Sequence, residues 1–280
     1  MKIAWQNCYS LDAAEIVVFG VLGHEGTIYS GTDQAPNEIR TASAKWLYMQ
    51  ASGKNLAIQP QVLPINKKVL DAYNIEAREV SGFVERLATK KKIPVLLGGG
   101  RFCTLDALKG IAATRKPFSI VYFDSSLGFV SASGSPHGSF LRDAACIKQL
   151  KLERSACIGC RAFKETEIEI AKKKKLAVVT AVEVEESGVK KAFQKIKRRT
   201  GKRVYLSLGI GCIDPSFAPG VSEPMPAGLT PNQAIALAKM IAAKGILGFD
   251  IVDLNPQADR SGMTASLAAK LLSEVIASTR

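Results

Sequence analysis

Short apolar runs alternate along this chain with longer amphipathic stretches. The apolar runs, rich in Val and Ile, are Glu15–Val21, Pro94–Leu97, Ser119–Phe123, Ala156–Gly159, Leu176–Thr180, Val204–Leu208 and Gly248–Val252. They are nearly continuous in apolar character, as strands covered on both faces must be. Between them, helical spacing of apolar positions marks Asn37–Gln50, Lys67–Thr89, Leu105–Thr114, Lys164–Lys173, Glu185–Arg199, Pro231–Ala243 and Ser261–Ser278. Thr230-Pro231 is a strong helix start, with a capping Thr and Pro at the first helical position. Strands alternating with helices predict an α/β fold, a three-layer α/β/α arrangement around a mainly parallel sheet. No linker, repeat or low-complexity segment interrupts the pattern, so residues 1–280 read as one domain. Ligands of open α/β sheets sit outside the carboxyl ends of the strands. The loops beginning at Gly98, Asp124, Gly209 and Asp253 are therefore the ones to inspect, with His137 a little downstream of the second.

Composition sharpens this picture in three places. Hydrophobic residues at 47% and charged residues at 22% are globular values and exclude a largely disordered chain. A net charge of +13 would suit nucleic acid or an acidic partner. The basic runs Lys90–Lys92, Lys172–Lys175 and Lys190–Arg203 carry no interleaved aromatic residues for base stacking. The last run has Val189, Phe193 and Ile196 on one helical face, so solvated helix faces are favoured over nucleic-acid binding. Apolar runs are too short to span a bilayer, and no secretory signal precedes the first strand, which points to the cytoplasm.

Cysteine and histidine usage limits the metal chemistry. Six cysteines in 280 residues make no disulfide framework. Cys157-x-x-Cys160 has redox or zinc spacing but lies in a strand, where positions three apart face opposite ways, and a second pair is missing. The two histidines, His24 and His137, cannot make a three-histidine centre.

The inspected loops hold ordered motifs. Phe19-Gly20-Val21 is followed by Pro36-Asn37-Glu38-Ile39-Arg40, then Gly98-Gly99-Gly100-Arg101, then Asp124-Ser125-Ser126-Leu127-Gly128 and Pro136-His137-Gly138. Next come Ser207-Leu208-Gly209-Ile210-Gly211-Cys212-Ile213-Asp214-Pro215, Pro224-Met225-Pro226-Ala227-Gly228, and Asp250-Ile251-Val252-Asp253-Leu254-Asn255-Pro256. In this order, across nearly the whole chain, they resemble the ureohydrolase superfamily of agmatinases, arginases and formimidoylglutamases. The resemblance implies an arginase-like fold. It also implies, for active members, hydrolysis of a guanidino or related group by a hydroxide that two Mn²⁺ ions activate.

The ligand positions that the resemblance implies are mostly replaced. The first, a histidine in the family, is Arg101; the Asp-x-His-x-Asp set keeps Asp124 but reads Ser126 and Gly128; both positions of the Asp-x-Asp pair are glycines, Gly209 and Gly211. One carboxylate cannot hold two Mn²⁺ ions, and Arg101 brings a permanent cation. Clustered carboxylates without metals would repel one another, so Arg101 and Asp124 read as a neutralising pair. Alternatively, Asp124 caps a turn. His137 falls on the family's His-Gly motif, with contact to substrate and a turn-forming role both open. Asp253 stands where the family commonly has Glu toward the substrate's guanidinium. Asp214, Asp250 and Asp259 read as caps and loop hydrogen bonds.

These expectations lead to a non-catalytic ureohydrolase homologue without a cofactor. Its vestigial cleft would be lined by Arg101, Asp124, Ser126, Gly128, His137, Gly209, Gly211 and Asp253. Such a chain would serve as a ligand-binding, structural or regulatory subunit. Family analogy implies a homo-oligomer, trimer or hexamer, or a hetero-oligomer with an active paralogue. An electropositive Arg101 in the cleft would favour an anionic small molecule over cationic agmatine. A second possibility is altered, metal-free hydrolysis of guanidino or amidine C–N bonds, using His137, Asp124, Arg101 and Ser125 or Ser126. A third is a basic interaction module.

Overall fold

The structure, a computed structural model, describes residues 3–22, 30–51, 65–130 and 139–280, with side chains of residues 45–51 left aside. Its centre is an eight-stranded parallel sheet in the order β2-β1-β3-β8-β7-β4-β5-β6. The strands are β1 (Ile16–Leu22), β2 (Val69–Glu76), β3 (Ile93–Leu97), β4 (Ser119–Phe123), β5 (Ala156–Cys160), β6 (Ala177–Thr180), β7 (Val204–Gly209) and β8 (Gly248–Val252). Helices cover both faces. On one lie α1 (Ala35–Ala51), α6 (Ala181–Ser187), α7 (Val189–Arg199), α8 (Pro231–Ala242) and α9 (Met263–Ser278), packed over Val121, Phe123, Leu206 and Leu208. On the other lie α2 (Val80–Thr89), α3 (Phe102–Ala112), α4 (Phe140–Ala144) and α5 (Glu165–Lys173), packed over Ile120, Tyr122 and Tyr205. Alternate residues of β4 and β7 thus enter different cores. That is why these strands are apolar without interruption and fully buried.

The three-layer architecture agrees with the expectation, and most elements fall within a few residues of it. Lys67–Thr89, expected as one helix, is instead the strand β2 followed by α2. Val69, Leu70, Ala72 and Ile75 fit either period, and β2 is an edge strand with only one neighbour, so polar residues break its apolar run. One of them, Asp71, is buried and accepts from Arg40 Nε and Nη2 at 2.9 and 2.8 Å and from Trp5 Nε1 at 3.3 Å. The predicted helix Glu185–Arg199 is two helices, α6 and α7. Gly188 sits between them at φ 81°, a conformation that ends α6. As expected, α7 buries Phe193 and Ile196 and turns its lysines outward; Ala192 is buried with them, while Val189 is only half-buried.

The cysteine pair also behaves differently from its strand reading. Gly159 at φ 86° makes a bulge in β5, where the register against β6 shifts between Ile158 and Cys160. The extra residue turns Cys160 to the same core as Cys157, rather than the opposite one. Both thiols are buried, and burial pushes the Cys157 pKa up, with the Cys160 side chain adding to it. A protonated buried thiol is a poor metal ligand and a poor nucleophile. Among the described residues, no helix is long and apolar enough to cross a membrane.

Candidate functional site

The four central neighbours of the sheet, β3, β8, β7 and β4, bring their carboxyl ends together. Arg101 follows β3 and immediately precedes α3, Asp124 follows β4, Gly209 ends β7, and Asp253 follows β8. The structure therefore gathers at one place residues that lie up to about 150 positions apart in the chain. Arg101 is the centre of the group and is only 2% exposed. Its Nη2 lies 2.9 Å from Asp124 Oδ2 and donates to the carbonyl of Phe123. Its Nε lies 3.3 Å from Asp253 Oδ2, an ion-pair distance without hydrogen-bond geometry. Its Nη1 donates to Ser207 Oγ at 2.7 Å, and Ser207 Oγ donates in turn to Asp250 Oδ1 at 2.6 Å. The Phe140 ring covers the guanidinium at 5.1 Å, a cation–π contact.

Electrostatics explains how this cluster stays together. Burial works against the charge of Arg101, but Asp124, then Asp253 and Asp250, outweigh it and hold its pKa above the ordinary value. One cation faces three carboxylates, and the others respond. Burial raises the Asp250 pKa, while Ser207 and Arg101 oppose it. Burial also raises Asp253, to about 7; Arg101 opposes this, whereas Asp124, Asp250 and Glu223 add to it. The sign for stability follows. A carboxyl whose pKa is higher in the folded than in the unfolded state contributes fully below about pH 4, and the contribution is lost as pH rises through about 7. Asp253→Asn should therefore flatten the fall in unfolding free energy over that window, measured by urea denaturation at a series of pH values. Asp253 sits at φ 72°, which Asn tolerates, so the backbone should not mask the effect. An unchanged pH slope would contradict this assignment.

The glycines fit the same arrangement. A Cβ on Gly209 would overlap Arg101 Nη2 and Asp253 Oδ2 and stand 2.7 Å from the carbonyl oxygen of Phe123. A Cβ on Gly128 would stand 2.8 and 2.9 Å from ring carbons of Phe140, the residue that covers Arg101. Gly211 differs, since a Cβ there would meet only Ser125 Oγ, at 4.0 Å. Gly209 thus makes room for Arg101 itself, and Gly128 for its aromatic cover.

Asp124 serves both roles anticipated for it. It pairs with Arg101 through Oδ2, while Oδ1 accepts from the Ser126 backbone at 3.0 Å and lies 3.4 Å from Ser126 Oγ. Ser126 is therefore beside Asp124 directly. His137 lies outside the described residues, as does His24. Asp214 and Asp259 are caps as expected: Asp214 accepts from Ser216 and Gly228 amides, Asp259 from Thr264 and Ala265 amides opening α9. Asp250 is not a cap. It lies in β8 opposite Ser207 of β7 and belongs to the Arg101 network. The expected anion-attracting Arg101 is corrected too, because its guanidinium is buried and already faces carboxylates.

Sequence reasoning missed Ser207, Phe140 and Arg161. Ser207 and Asp250 carried a usable signal, as the polar residues inside otherwise apolar buried strands. Arg161 donates to the carbonyls of Gly159, Gly211, Cys212, Ile213, Met225 and Pro226, which ties the end of β5 to the loops after β7. Burial lowers its pKa.

The guanidinium of Arg101 lies against Asp124, and a side chain at 209 would run into Arg101. Among the described residues, no group of three or more His, Cys, Asp or Glu side chains could hold a metal ion.

Comparison with known proteins agrees with the fold. A model for the Arginase family matches residues 14–277. An agmatinase of Neisseria meningitidis serogroup C (strain 053442) is 32% identical over 193 residues, which are 68% of this chain and 61% of that protein. The match thus spans less than two thirds of that relative. The structure of proclavaminate amidino hydrolase from Streptomyces clavuligerus superposes with a TM-score of 0.82 at 26% identity, covering 95% of this chain and 92% of that one. Agmatine ureohydrolase of Thermoplasma volcanium gives a TM-score of 0.79 at 27% identity, covering 99% and 94%.

Proposed function

The chain belongs to the Arginase family, and from that premise we propose that it is a non-catalytic member whose dinuclear manganese centre has been replaced by a buried arginine. The observation that carries this reading is the fit between Arg101 and Gly209. The guanidinium stands where a side chain at 209 would have to project, and it is neutralised by Asp124, with Asp253 3.3 Å from its Nε. An ion that activates water must leave a coordination position open to it. Here a planar organic cation with no acceptor capacity takes the central place. In this reading Asp124 and Asp253 hold Arg101 rather than a metal or a substrate guanidinium, and Ser126, Gly128 and Gly211 have no catalytic duty. The protein uses no cofactor. It acts as a structural or regulatory subunit, in a homo-oligomer or with an active paralogue, and any small molecule it binds enters the vestigial cleft around Gly211 and Ser125.

Elemental analysis of the purified protein after incubation with Mn²⁺, joined to urea release from agmatine and arginine, tests the reading. The expected result is no stoichiometric manganese and no urea above the uncatalysed rate. Two equivalents of metal with turnover would overturn it and return the chain to the active agmatinases.

A further inference from the structure

At the end of the sheet opposite Arg101, the amino ends of β4 and β7 open into a hollow of about 520 Å³. Its size falls within the usual range of small-molecule sites, roughly 300–1,000 Å³. Two short turns form its walls. One carries Lys151 and Arg154, the other Lys202 and Arg203, and Ser119 lies at the base between them. The walls are held by the backbone: Lys151 N donates to Phe118 O at 2.8 Å, and Ser119 N donates to Arg203 O at 2.9 Å. Gly201 lies beside both walls, where a Cβ would make ordinary contact with Ser119 Oγ at 3.4 Å and Arg154 Cδ at 3.9 Å.

The charge of the hollow is one-sided. Four cationic side chains converge on it against one carboxylate, the exposed Glu153. Among the described residues, Arg154, Lys202 and Arg203 form no ion pair with any acidic group. Lys151 Nζ has one acceptor, the carbonyl of Lys148 at 3.1 Å, and retains further donors. Arg203 Nε is buried and has no hydrogen-bond partner. Buried donors without acceptors are rare, and this one belongs to a residue that lines the hollow.

We propose that this hollow is a binding site for a small phosphate-bearing anion. The basic face of α7, with Lys190, Lys191 and Lys195, is a solvated helix surface by contrast, and Lys195 there is paired with Glu183 at 2.7 Å. The walls of the hollow are preformed by backbone hydrogen bonds, so a ligand need order only the ends of four side chains. Guanidinium groups favour phosphate oxygens because their planar donors match them in pairs.

Isothermal titration with pyrophosphate and with ADP, at low and at physiological ionic strength, tests the site. One equivalent of saturable binding is expected, weakening as salt rises. Binding of pyrophosphate alone would identify the free anion as the ligand, and binding of both would identify the diphosphate group of a nucleotide. Arg154→Gln and Lys202→Gln, both exposed and outside the cores, should each weaken binding roughly tenfold or more. Arg203→Lys keeps the charge but removes the paired planar donors of the guanidinium, and should weaken binding by a similar factor. Lys190→Gln on α7 should leave it unchanged. Absence of saturable binding, binding that none of the hollow variants affects, or binding only of a long polyanion would overturn the proposal. This experiment is independent of the manganese and urea test, because it concerns the other end of the sheet.

Discussion

Arg101→Ala should lower unfolding free energy by about 3–5 kcal/mol, the usual cost of removing one member of a buried ionic group. The reason is less the loss of a bond than what remains behind. Asp124 and Asp253 would lose the cation they pair with, and Ser207 and the Phe123 carbonyl would each lose a donor. Phe140 would face a cavity where the guanidinium stood. Arg101→Lys should recover only part of the loss. One ammonium cannot reach Asp124, Asp253 and Ser207 at once, and it lacks the planar face that Phe140 covers. Chemical denaturation followed by circular dichroism measures both variants. A loss below about 1 kcal/mol for Arg101→Ala would mean that Arg101 is a surface-like pair. If the alanine variant does not fold in isolation, the lysine variant still supplies the comparison.

Gly209→Ala should destabilise by about 3 kcal/mol, while Gly211→Ala, two residues away, should stay within about 0.5 kcal/mol. The two glycines are the first and second positions of the same Gly-x-Gly pair, and their surroundings separate them. At 209 the new methyl meets Arg101, Asp253 and the Phe123 carbonyl; at 211 it meets one hydroxyl at 4.0 Å. Neither glycine has a positive φ, so backbone strain does not enter. In the double variant Arg101→Ala, Gly209→Ala, the methyl loses its main obstacle. The pair should therefore be non-additive by about 0.5–3 kcal/mol, with the double variant more stable than the sum of the singles implies. Additive effects would show that Arg101 and Gly209 do not depend on one another. The Phe123 carbonyl stays 2.7 Å from the methyl, so relief should be incomplete.

The residues of the site were largely legible in the chain. Arg101, Asp124, Gly209 and Asp253 each follow an apolar run, and strand-end loops are where an α/β sheet places ligands. Asp250 was read as a cap because the sequence shows neither the register of β7 against β8 nor the position of Ser207 opposite it. Phe140 stayed hidden because its contact with Arg101 depends on the turn at Gly128. The helix expected over Lys67–Thr89 failed at an edge strand, where a single neighbour leaves the apolar period weak. The cysteine pair failed at one bulged glycine, Gly159.

The sequence by itself determined the alternation of strands and helices, the layers they form and the loops that meet at the sheet's carboxyl edge. Burial imposes its period on most elements within a few residues, so that information is local. Tertiary structure alone decided that Arg101 lies between Asp124 and Asp253, that Gly209 leaves room for it, and that the cations of two distant turns converge around Ser119. Those relations depend on strand order and register, which join residues more than a hundred positions apart. A charge gains or loses most of its interaction energy within a few ångströms, a distance that only the packed fold sets.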